Sequence, residues 1–493
     1  MQNMPQVKLG IVAVSRDCFP VSLSQRRRAE VVRCFTLAGG EIFEAKTTIE
    51  NERDTLRALE EIRAAGVNAL VVYLGNFGPE GPETLLAQMF DGPSMFVAAA
   101  EEDTDVLLSE RGDAFCGMLN ASYNIGLRGL RPYIPEYPVG MPNEVSAMIA
   151  EFMPVARALL ALRKLKIFAF GPRPFDFLAC NAPIAPLFTL GVNVQENSEL
   201  DLYDAFLKHK DDPRIEAVAK EMAEELGAGN KMPGVLPRLA QYELTLLDWA
   251  EANRGAAEYF VFANKCWPAF ESFFGFVPCY VNSRLTSRGI PVACEVDIYG
   301  ALSEFLGACV TESSVTLLDI NNTVPADMYK AHIEGKFGYS AKEVFMGFHC
   351  GNTPIDRLTD GAMKYQLIMK RSLEPDGEPD ITRGTLEGAI KAGPITFYRL
   401  QGNAEGKLVS YIAQGEVLPV EPKSFGGIGV FAISQMDRFY RHVLIAKRYP
   451  HHGAVAFGHV GKPLFSIMKL LGVEDVAFNQ PGGMLYKDEN PFA

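Results

Sequence analysis

The sequence predicts an α/β protein with a β-rich C-terminal part, and three observations support this. In residues 1–165, short apolar segments alternate with helical segments, which is typical of parallel strands joined by crossover helices. The alternation continues through residues 166–340. From residue 341 the chain is rich in glycine, β-branched residues and turns, which favours antiparallel strands in a barrel or sandwich. We therefore predict three domains: 1–165, 166–340 and 341–493.

The first domain shows the alternation most clearly. Its strands are predicted at Leu9–Val14, Glu41–Ala45, Ala69–Leu74 and Met95–Ala100. Helices are predicted between and after them, at Ser24–Ala38, Asn51–Ala65, Glu83–Phe90 and Asn143–Arg163. The last of these helices is long and leads into the second domain, whose first strand is predicted to begin at Lys166.

The loops after the first and third strands are candidate ligand-binding segments. Their sequences, SRDCFP and GNFGPEGPE, lack the GxGxxG fingerprint, so a dinucleotide site is not supported. Arg16 and Asn76 lie in these loops at strand ends, where side chains can contact a ligand. Polar loop residues without such a role fit the spacing equally well.

Charge and composition exclude two classes of partner. The chain of 493 residues has a formal net charge of -13, which argues against nucleic acid because phosphate binding needs a basic surface. It contains no run of about 18 uncharged apolar residues, so we predict no transmembrane helix. The N-terminus resembles a first strand rather than a signal peptide, and nine cysteines are scattered without a CxxC pair. This pattern predicts reduced thiols and a cytoplasmic location.

Acidic residues follow two apolar segments in the second domain. The predicted strand Tyr259–Ala263 leads into Glu271, and the predicted strand Ile290–Val296 carries Glu295 and leads into Asp297. Because side chains alternate along a strand, Glu295 and Asp297 are expected to share one face. Burying two carboxylates on an apolar strand is costly without a cation, whereas solvated acids at a strand end would need none.

Histidines supply the second half of a candidate metal site. His349 ends a predicted strand, Val344–Phe348, and His451 and His452 precede another, Ala454–Phe457. Adjacent residues point to opposite faces, so at most one of the pair is expected to reach a single metal ion. The other is expected to orient the site or contact a ligand, although a surface histidine pair is an alternative. Mixed carboxylate and imidazole ligands suit Mn²⁺, Mg²⁺, Fe²⁺ or Co²⁺.

Several separate motifs recur in one order between about residues 260 and 475, and together they resemble the L-fucose isomerase and L-arabinose isomerase superfamily. They are Lys265-Cys-Trp-Pro, Pro278-Cys, Ser283-Arg-Leu, Gly289-Ile-Pro, Ala293-Cys-Glu-Val-Asp-Ile-Tyr-Gly-Ala-Leu, Phe348-His-Cys-Gly-Asn, Pro450-His-His-Gly-Ala-Val and Leu470-Leu-Gly-Val. The N-terminal half matches only in architecture. The resemblance implies two Rossmann-like α/β domains, a C-terminal β-barrel-like domain, and a homotrimer or homohexamer with sites at subunit interfaces.

The resemblance also implies roles for individual residues. Glu271 is similar to the first metal carboxylate and Asp297 to the second, with Glu295 filling that place in an arabinose-like alignment. His452 is similar to the C-terminal metal ligand, with His451 as the alternative. The metal is implied to be Mn²⁺, or else Mg²⁺, Co²⁺ or Fe²⁺.

Three further residues are implied to contact the sugar. His349 resembles an additional ligand or substrate contact. Arg16 and Asn76 lie in segments similar to those through which a neighbouring subunit touches the substrate, and His451 is expected to contact it where His452 binds the metal.

The predicted reaction is metal-dependent interconversion of an aldose and a ketose through an enediol of the open-chain sugar. Glu271 or Asp297 is expected to move the proton between C2 and C1. The substrate is L-fucose, arabinose, or a related or modified sugar such as a sulfonated one. The alternatives are a sugar-binding protein that has lost the chemistry, and an epimerase or aldolase that uses the same enediolate.

Overall fold

The computed structural model describes residues 3–492, and the chain divides into two compact units. The N-terminal unit is Pro5–Ala161, so it ends four residues before the first predicted boundary. The second unit begins at Leu162 and also includes Asn3 and Met4. The predicted boundary between residues 340 and 341 falls inside this second unit, and the division into three domains stays a prediction.

The N-terminal unit contains one five-stranded parallel sheet in the order β2-β1-β3-β4-β5. Its strands are β1 (Leu9–Val14), β2 (Phe43–Glu44), β3 (Ala69–Leu74), β4 (Ser94–Ala99) and β5 (Val139–Gly140). Its helices are α1 (Val21–Leu37), α2 (Glu52–Ala64), α3 (Glu80–Met89), α4 (Leu107–Glu110), α5 (Ala114–Leu127) and α6 (Pro142–Leu162). The predicted α/β class is confirmed for this unit.

The buried strands explain why the sequence pattern was readable here. Every residue of β1 and of β3 is buried, because helices cover both faces of a parallel sheet. In the strand order, β1 lies between β2 and β3, so the chain crosses from β1 to one side and then returns to the other. At such a reversal, an open α/β sheet forms a ligand-binding crevice at the carboxyl ends of its strands. The loops that carry Arg16 and Asn76 leave the sheet at this point.

One helix, α6, is long and apolar enough to cross a membrane by length and composition alone. In the most apolar 18-residue window of α6, 56% is buried inside the protein. A helix in the core of a soluble protein has the same length and composition. The residues Ile149, Phe152 and Val155 on this helix are fully buried.

The second unit begins with a four-stranded parallel sheet in the order β7-β6-β8-β9. The strands are β6 (Leu165–Phe170), β7 (Asn193–Asn197), β8 (Tyr259–Ala263) and β9 (Val292–Ala293). The helices around it are α7 (Ala185–Thr189), α8 (Glu199–Lys208), α9 (Ile215–Leu226), α10 (Leu236–Asn253), α11 (Phe270–Phe274), α12 (Cys279–Ser287) and α13 (Ile298–Thr311). The alternating pattern predicted for residues 166–340 thus forms a second parallel sheet, although its strands end at Ala293.

A nine-stranded mixed sheet completes the second unit, in the order β12-β13-β16-β11-β10-β17-β14-β15-β18. Its strands are β10 (Val315–Thr323), β11 (Val344–His349), β12 (Leu358–Tyr365), β13 (Arg383–Ile390), β14 (Gly393–Gly402), β15 (Leu408–Leu418), β16 (Gly427–Ala432), β17 (His452–Phe457) and β18 (Val476–Phe478). The helices α14 (Ala326–His332), α15 (Leu367–Leu373), α16 (Met436–Phe439) and α17 (Gly461–Leu470) connect them.

A ring of strand pairings gives the C-terminal region a barrel-like character. Because β15 pairs with β16 as well as with β14, six strands (β16, β11, β10, β17, β14 and β15) are linked pairwise all the way round. Strand β10 lies in this ring although the sequence assigned it to the preceding domain. One hydrophobic cluster contains residues of both sheets, including Phe168, Leu318 and Val455. This shared core explains why the two sheets belong to one compact unit.

The predicted strand Ile290–Val296 is wrong in its second half. Strand β9 ends at Ala293, and Glu295 (φ 60°) and Val296 (φ 56°) adopt left-handed backbone angles. The chain turns here because Asp297 caps α13, accepting a hydrogen bond from the Gly300 amide at 2.9 Å. The expectation that Glu295 and Asp297 share one strand face is therefore also wrong.

A buried acid in the N-terminal unit should make its stability depend on pH. Glu83 is fully buried and neither carboxyl oxygen has a hydrogen-bond partner among the described residues. Burial raises the pKa of Glu83 from 4.5 to about 8, and the nearby Glu80 adds to this. Below about pH 4.5 the neutral Glu83 side chain therefore does not lower the free energy of unfolding. As the pH rises from 4.5 towards 8, that free energy falls, because the folded state keeps the proton that the unfolded state loses.

Above pH 8, we expect the free energy of unfolding of Glu83→Gln to exceed that of the wild type by on the order of 4 kcal/mol. The variant should therefore unfold at a higher urea concentration. The two proteins should converge near pH 5, where the wild-type carboxyl group is neutral in the folded state. Glu60→Gln, at an exposed position of α2, serves as the control and should leave the pH profile unchanged. A Glu83→Gln profile parallel to that of the wild type would contradict the assignment.

Candidate active site

Three neighbouring strands of the mixed sheet bring an acid and two histidines together. His452 begins β17 and lies directly opposite Asp319 in β10, with its Nε2 atom 3.3 Å from the Asp319 Oδ1 atom. Asp319 also pairs with Phe348 in β11, and His349 is the next residue along. Ligand atoms of Asp319, His349 and His452 lie within 4.8 Å of one another.

Glu295 approaches the same place from the parallel sheet. It lies in the turn between β9 and α13, and its Oε2 atom is 3.2 Å from His452 Nε2. The Val296 backbone in this turn is strained, because a β-branched residue rarely adopts a positive φ. The turn thus places Glu295 and Asp319 on either side of one imidazole nitrogen.

The atoms that meet here lack partners. Glu295 Oε2, Asp319 Oδ1, His349 Nε2 and His452 Nε2 are buried and have no hydrogen-bond partner among the described residues. Leaving a buried polar atom unpaired costs about 1–3 kcal/mol, so a cluster of them indicates a missing ligand. Two carboxylate oxygens and an imidazole nitrogen suit a divalent cation such as Mn²⁺, Mg²⁺, Fe²⁺ or Co²⁺.

Asp297, unlike Glu295 and Asp319, has an arginine partner for both of its carboxylate oxygens. Its Oδ2 and Oδ1 atoms lie 2.8 and 2.9 Å from the two terminal nitrogens of Arg399, in a bidentate pair whose side chains are both 1% exposed. Oδ2 also lies 2.8 Å from His452 Nδ1. Burial alone would raise the pKa of Asp297, but Arg399 and His452 hold it well below its usual range. Asp297 is therefore a fixed anion.

This fixed anion determines how His452 can act. Since Asp297 accepts at Nδ1, the ring proton of neutral His452 lies on Nδ1 and the Nε2 lone pair faces Glu295 and Asp319. A carboxylate that orients a histidine in this way is the usual arrangement behind a metal ligand. Burial lowers the pKa of His452, but Cys180, Asp297 and Asp319 together raise it well above its ordinary value, so a cation at Nε2 would have to displace the proton that this nitrogen otherwise takes up.

Glu271, the other acid that the sequence singled out, lies apart from this group. No set of metal-ligating side chains found among the described residues contains it. It is fully buried on α11, both of its oxygens lack hydrogen-bond partners in the described part of the chain, and burial raises its pKa to about 8. A carboxyl group that is neutral at neutral pH is a poor cation ligand, and its role as ligand and catalyst stays a prediction.

The histidine pair is arranged more compactly than strand alternation predicts. His451 precedes β17, and its Nε2 atom lies 3.7 Å from Asp319 Oδ1 and 4.0 Å from Glu295 Oε2. Both histidines therefore face the same two carboxylates, with His452 closer. The His451 side chain is 33% exposed and packs edge-on against Phe177, so it lies at the rim of the group.

The two residues predicted in the N-terminal unit are engaged in its own loops. Asn76 is buried, accepts hydrogen bonds from the amides of Arg16 and Gly78, and donates to Ser15. The Arg16 guanidinium donates to Gly78 and Glu80 and stacks on Phe77. Asn76 therefore shapes the loop, whereas Arg16, with a side chain 34% exposed, keeps some surface for a ligand.

Asp319 and Arg399 are the residues that sequence reasoning missed. Asp319 interrupts the apolar segment VTLLDIN, and Arg399 interrupts ITFYRLQ. A charged residue within a buried strand is a signal for a paired or metal-binding group, and that signal was present in both segments. The partners could not be identified, because Arg399 is 102 positions from Asp297 and 53 from His452.

Two family models match this chain. Residues 10–163 match the N-terminal domain of fucose/sulfoquinovose isomerase, and residues 347–478 match the C-terminal domain of L-fucose isomerase. The first match covers the parallel sheet of the N-terminal unit, which the sequence motifs had left without a relative. The second contains His349, Arg399 and His452.

The chain is also similar to proteins that carry the name sulfoquinovose isomerase. It is 26% identical to that of Alkalicoccus urumqiensis over 363 residues, which is 72% of this chain and 74% of the relative. The identity to that of Priestia megaterium is 26% over 365 residues, again 72% and 74% of the two chains. For the protein of a Clostridium species it is 25% over 348 residues, or 69% and 70%.

Removing Arg399 should show how much the fold depends on the Asp297 pair. We expect Arg399→Met to lower the free energy of unfolding by about 3–5 kcal/mol, because it leaves a buried carboxylate without its counter-ion. The double variant Asp297→Asn/Arg399→Met should recover part of this loss. Urea unfolding, followed by tryptophan fluorescence and circular dichroism, measures all three proteins.

Arg214→Met is the matched control, because Arg214 also forms a close pair with an aspartate but with its side chain 49% exposed. Its loss should cost at most about 1 kcal/mol. Equal effects at Arg399 and Arg214 would show that the buried pair adds nothing beyond a surface one.

Proposed function

This chain belongs to the fucose isomerase-like family and is an isomerase, and we propose that it interconverts the aldose and ketose forms of an open-chain sugar with the help of a divalent cation. The two family models together match more than half of the chain. The observation that carries the proposal is the convergence of Glu295 Oε2 and Asp319 Oδ1 on His452 Nε2 at 3.2 and 3.3 Å, where all three atoms are buried and lack any other partner among residues 3–492.

We propose Glu295, Asp319 and His452 as the residues that hold the cation. This choice replaces Glu271 and Asp297 of the sequence prediction, since Glu271 lies apart and both oxygens of Asp297 are engaged by Arg399. A bound Mn²⁺, or else Mg²⁺, Co²⁺ or Fe²⁺, supplies Lewis acidity that polarises a carbonyl and stabilises negative charge on oxygen. Two carboxylates offset its charge and leave room for substrate oxygens.

The protein's own residues then divide the proton transfers. Glu295 has a long side chain on a turn outside the ladder of the sheet, so it has the freedom to take the proton from C2 and return it to C1. Asp319 has a short side chain in a strand that is paired on both sides, so it is placed to carry the hydroxyl proton. Asp297 and Arg399 hold the His452 ring in place and exclude water from behind it.

The relatives suggest which sugar to try first. Because proteins named sulfoquinovose isomerase match 72% of this chain, a sulfonated aldose is our leading substrate, ahead of L-fucose and arabinose. A cavity of about 990 Å³ is lined by Asn321 and Asn322, which follow Asp319 in β10, and by Phe348, which precedes His349. Lys423 on its wall offers a cation for an anionic group, although none of Glu295, Asp319, His349 and His452 lines this cavity.

Assembly into a homotrimer or homohexamer belongs to the same proposal, with Arg16 as the contact that a neighbouring subunit supplies. In support, exposed large apolar side chains concentrate between residues 106 and 137, at Val106, Leu107, Leu108, Phe115, Leu119, Tyr123, Leu127, Ile134 and Tyr137. Helix α5 in this segment has no charged residue. Apolar patches of this kind mark protein interfaces.

Metal-stripped protein tests the proposal directly. We expect it to convert no aldose, and to convert at least one member of a panel of sulfoquinovose, L-fucose and L-arabinose once Mn²⁺ is added. Product analysis by NMR separates a ketose from an epimer or a cleaved product. Turnover in the presence of a chelator would contradict the metal-dependent mechanism, and metal binding without turnover of any aldose would favour a sugar-binding protein.

Substitution of the carboxylates tests the residue assignments. Glu295→Gln and Asp319→Asn should each lower kcat by about 10²–10⁴-fold and weaken Mn²⁺ binding, while circular dichroism stays unchanged. Glu271→Gln is the matched control and should bind Mn²⁺ as the wild type does. Loss of Mn²⁺ binding in Glu271→Gln together with normal binding in Glu295→Gln would restore the ligand set that the sequence predicted.

A further inference from the structure

A second cavity adjoins the residues that hold His452 in place. Its volume is about 690 Å³, and no side chain of the proposed cation site lines it. Most of its wall comes from three segments of the second unit, which lie within residues 178–183 after β6, residues 401–405 at the turn from β14 to β15, and residues 446–450 before β17. The mechanism proposed above makes no use of this cavity.

Each of these segments leads to the buried pair of Asp297 and His452. In the first, Cys180 places its Sγ atom 3.6 Å from His452 Nδ1. In the second, Gln401 Oε1 accepts a hydrogen bond from Arg399 Nε at 2.5 Å, and Arg399 pairs with Asp297. The third segment ends two residues before His452. The cavity therefore adjoins the groups on the Nδ1 side of the ring, whereas the proposed cation faces Nε2.

The wall of this cavity is rich in hydrogen-bond donors that have no acceptor. The side-chain NH₂ groups of Asn181, Gln401 and Asn403 donate to no group within residues 3–492. The Arg448 guanidinium donates to none there either, and the buried Tyr449 hydroxyl has no partner in the same range. Oxygen atoms of a ligand can accept from all of these groups. The lining therefore fits a ligand rich in oxygen atoms, such as a sugar.

Arg448 gives the cavity a free positive charge. Its neighbour Lys447 pairs with Asp475 at 2.5 and 2.7 Å, whereas no carboxylate of the described residues pairs with Arg448. Glu405, which is also unpaired in this part of the chain, is exposed at the turn after β14. Arg448 has a left-handed backbone (φ 61°), which is uncommon outside glycine and concentrates at functional sites. A guanidinium group matches the oxygens of a sulfonate or phosphate in geometry and charge.

We propose that this cavity is a second ligand site, which binds a sugar carrying a sulfonate or phosphate group and transmits its occupancy to His452. Arg448 pairs with the anionic group, and the amides of Asn181 and Asn403 donate to sugar hydroxyls. The volume of about 690 Å³ lies within the range of small-molecule pockets. Binding at this site is independent of the proposed function.

Gln401 is the residue that transmits the occupancy. Its NH₂ group is free for the ligand, while its oxygen holds Arg399. A ligand that draws this amide shifts Arg399, and with it the Asp297 carboxylate that orients His452. The ligand and the cation must then change each other's affinity by the same factor. This transmission, unlike the binding itself, rests on the proposed cation site.

Titration calorimetry with glucose 6-phosphate on the metal-stripped full-length protein tests the binding. We expect Arg448→Ala to bind this probe at least about tenfold more weakly than the wild type, because a charged hydrogen bond is lost. Glucose and inorganic phosphate, which each lack half of the recognised chemistry, should also bind more weakly. Sulfoquinovose in place of glucose 6-phosphate distinguishes the two sources of the anionic group, and the tighter of the two identifies it.

Arg441→Ala is the matched control, because it removes the same charge from an exposed position outside the cavity. It should bind glucose 6-phosphate as the wild type does. Equal binding by Arg448→Ala and the wild type, or no binding of either anionic sugar, would overturn the proposal. Loss of binding in Lys423→Ala instead would assign the anion to the cavity of about 990 Å³ and overturn it as well.

Mn²⁺ titration with and without glucose 6-phosphate tests the transmission. We expect the probe to change the Mn²⁺ affinity of the wild type by about fivefold or more, and to leave that of Arg448→Ala unchanged. The same affinity in both wild-type titrations would show that occupancy is not transmitted. If the wild type binds no Mn²⁺, the transmission fails with the proposed function, while the calorimetry on metal-stripped protein still decides the second site.

Discussion

A single buried carboxylate, Asp297, joins the parts of the second unit that form the site. It caps α13, forms a bidentate pair with Arg399 of β14, and accepts from the ring of His452 at the start of β17. Helix α13 follows the parallel sheet, whereas β14 and β17 belong to the mixed sheet. The relative position of Glu295, two residues before Asp297, and of His452 therefore depends on one anion with all of its contacts satisfied.

The site around this anion is built at a cost in stability. A buried ion pair gains little over an apolar contact, since desolvation offsets most of the attraction. The left-handed Val296 and the unpaired atoms of Glu295 and Asp319 add further unfavourable terms. Such features persist where the surrounding structure over-determines them, and they concentrate at functional sites. The strain and the orphaned atoms occur together here, which separates this cluster from the fully paired Arg284–Glu243 group in the same unit.

The fold could be read from the sequence because buried parallel strands are continuous apolar segments and helices alternate with them. For the site, the sequence predicted the residue types, carboxylates and histidines after strand ends, but not which of these residues meet. The prediction continued strand β9 through Glu295 to Asp297. In the structure the chain has left the strand before Glu295, and Asp297 caps α13. Asp319 gave the same signal as Glu295, but its place opposite His452 results from pairing between strands 133 residues apart, which no local pattern contains.

The assignment of chemistry to each residue depends on contacts of this long-range kind. Two acids, Asp297 and Asp319, lie within 3.3 Å of opposite nitrogens of the same ring, yet Arg399 engages one and leaves the other free. Glu271 is as buried as Asp297, and burial raises the pKa of both; Arg399 and His452 lower the pKa of Asp297, whereas Glu271 has no counter-ion among the described residues. The side chains in these comparisons are all carboxylates, and the partner decides the charge. In this protein, the division of labour among acids and histidines is therefore a property of the folded sheet.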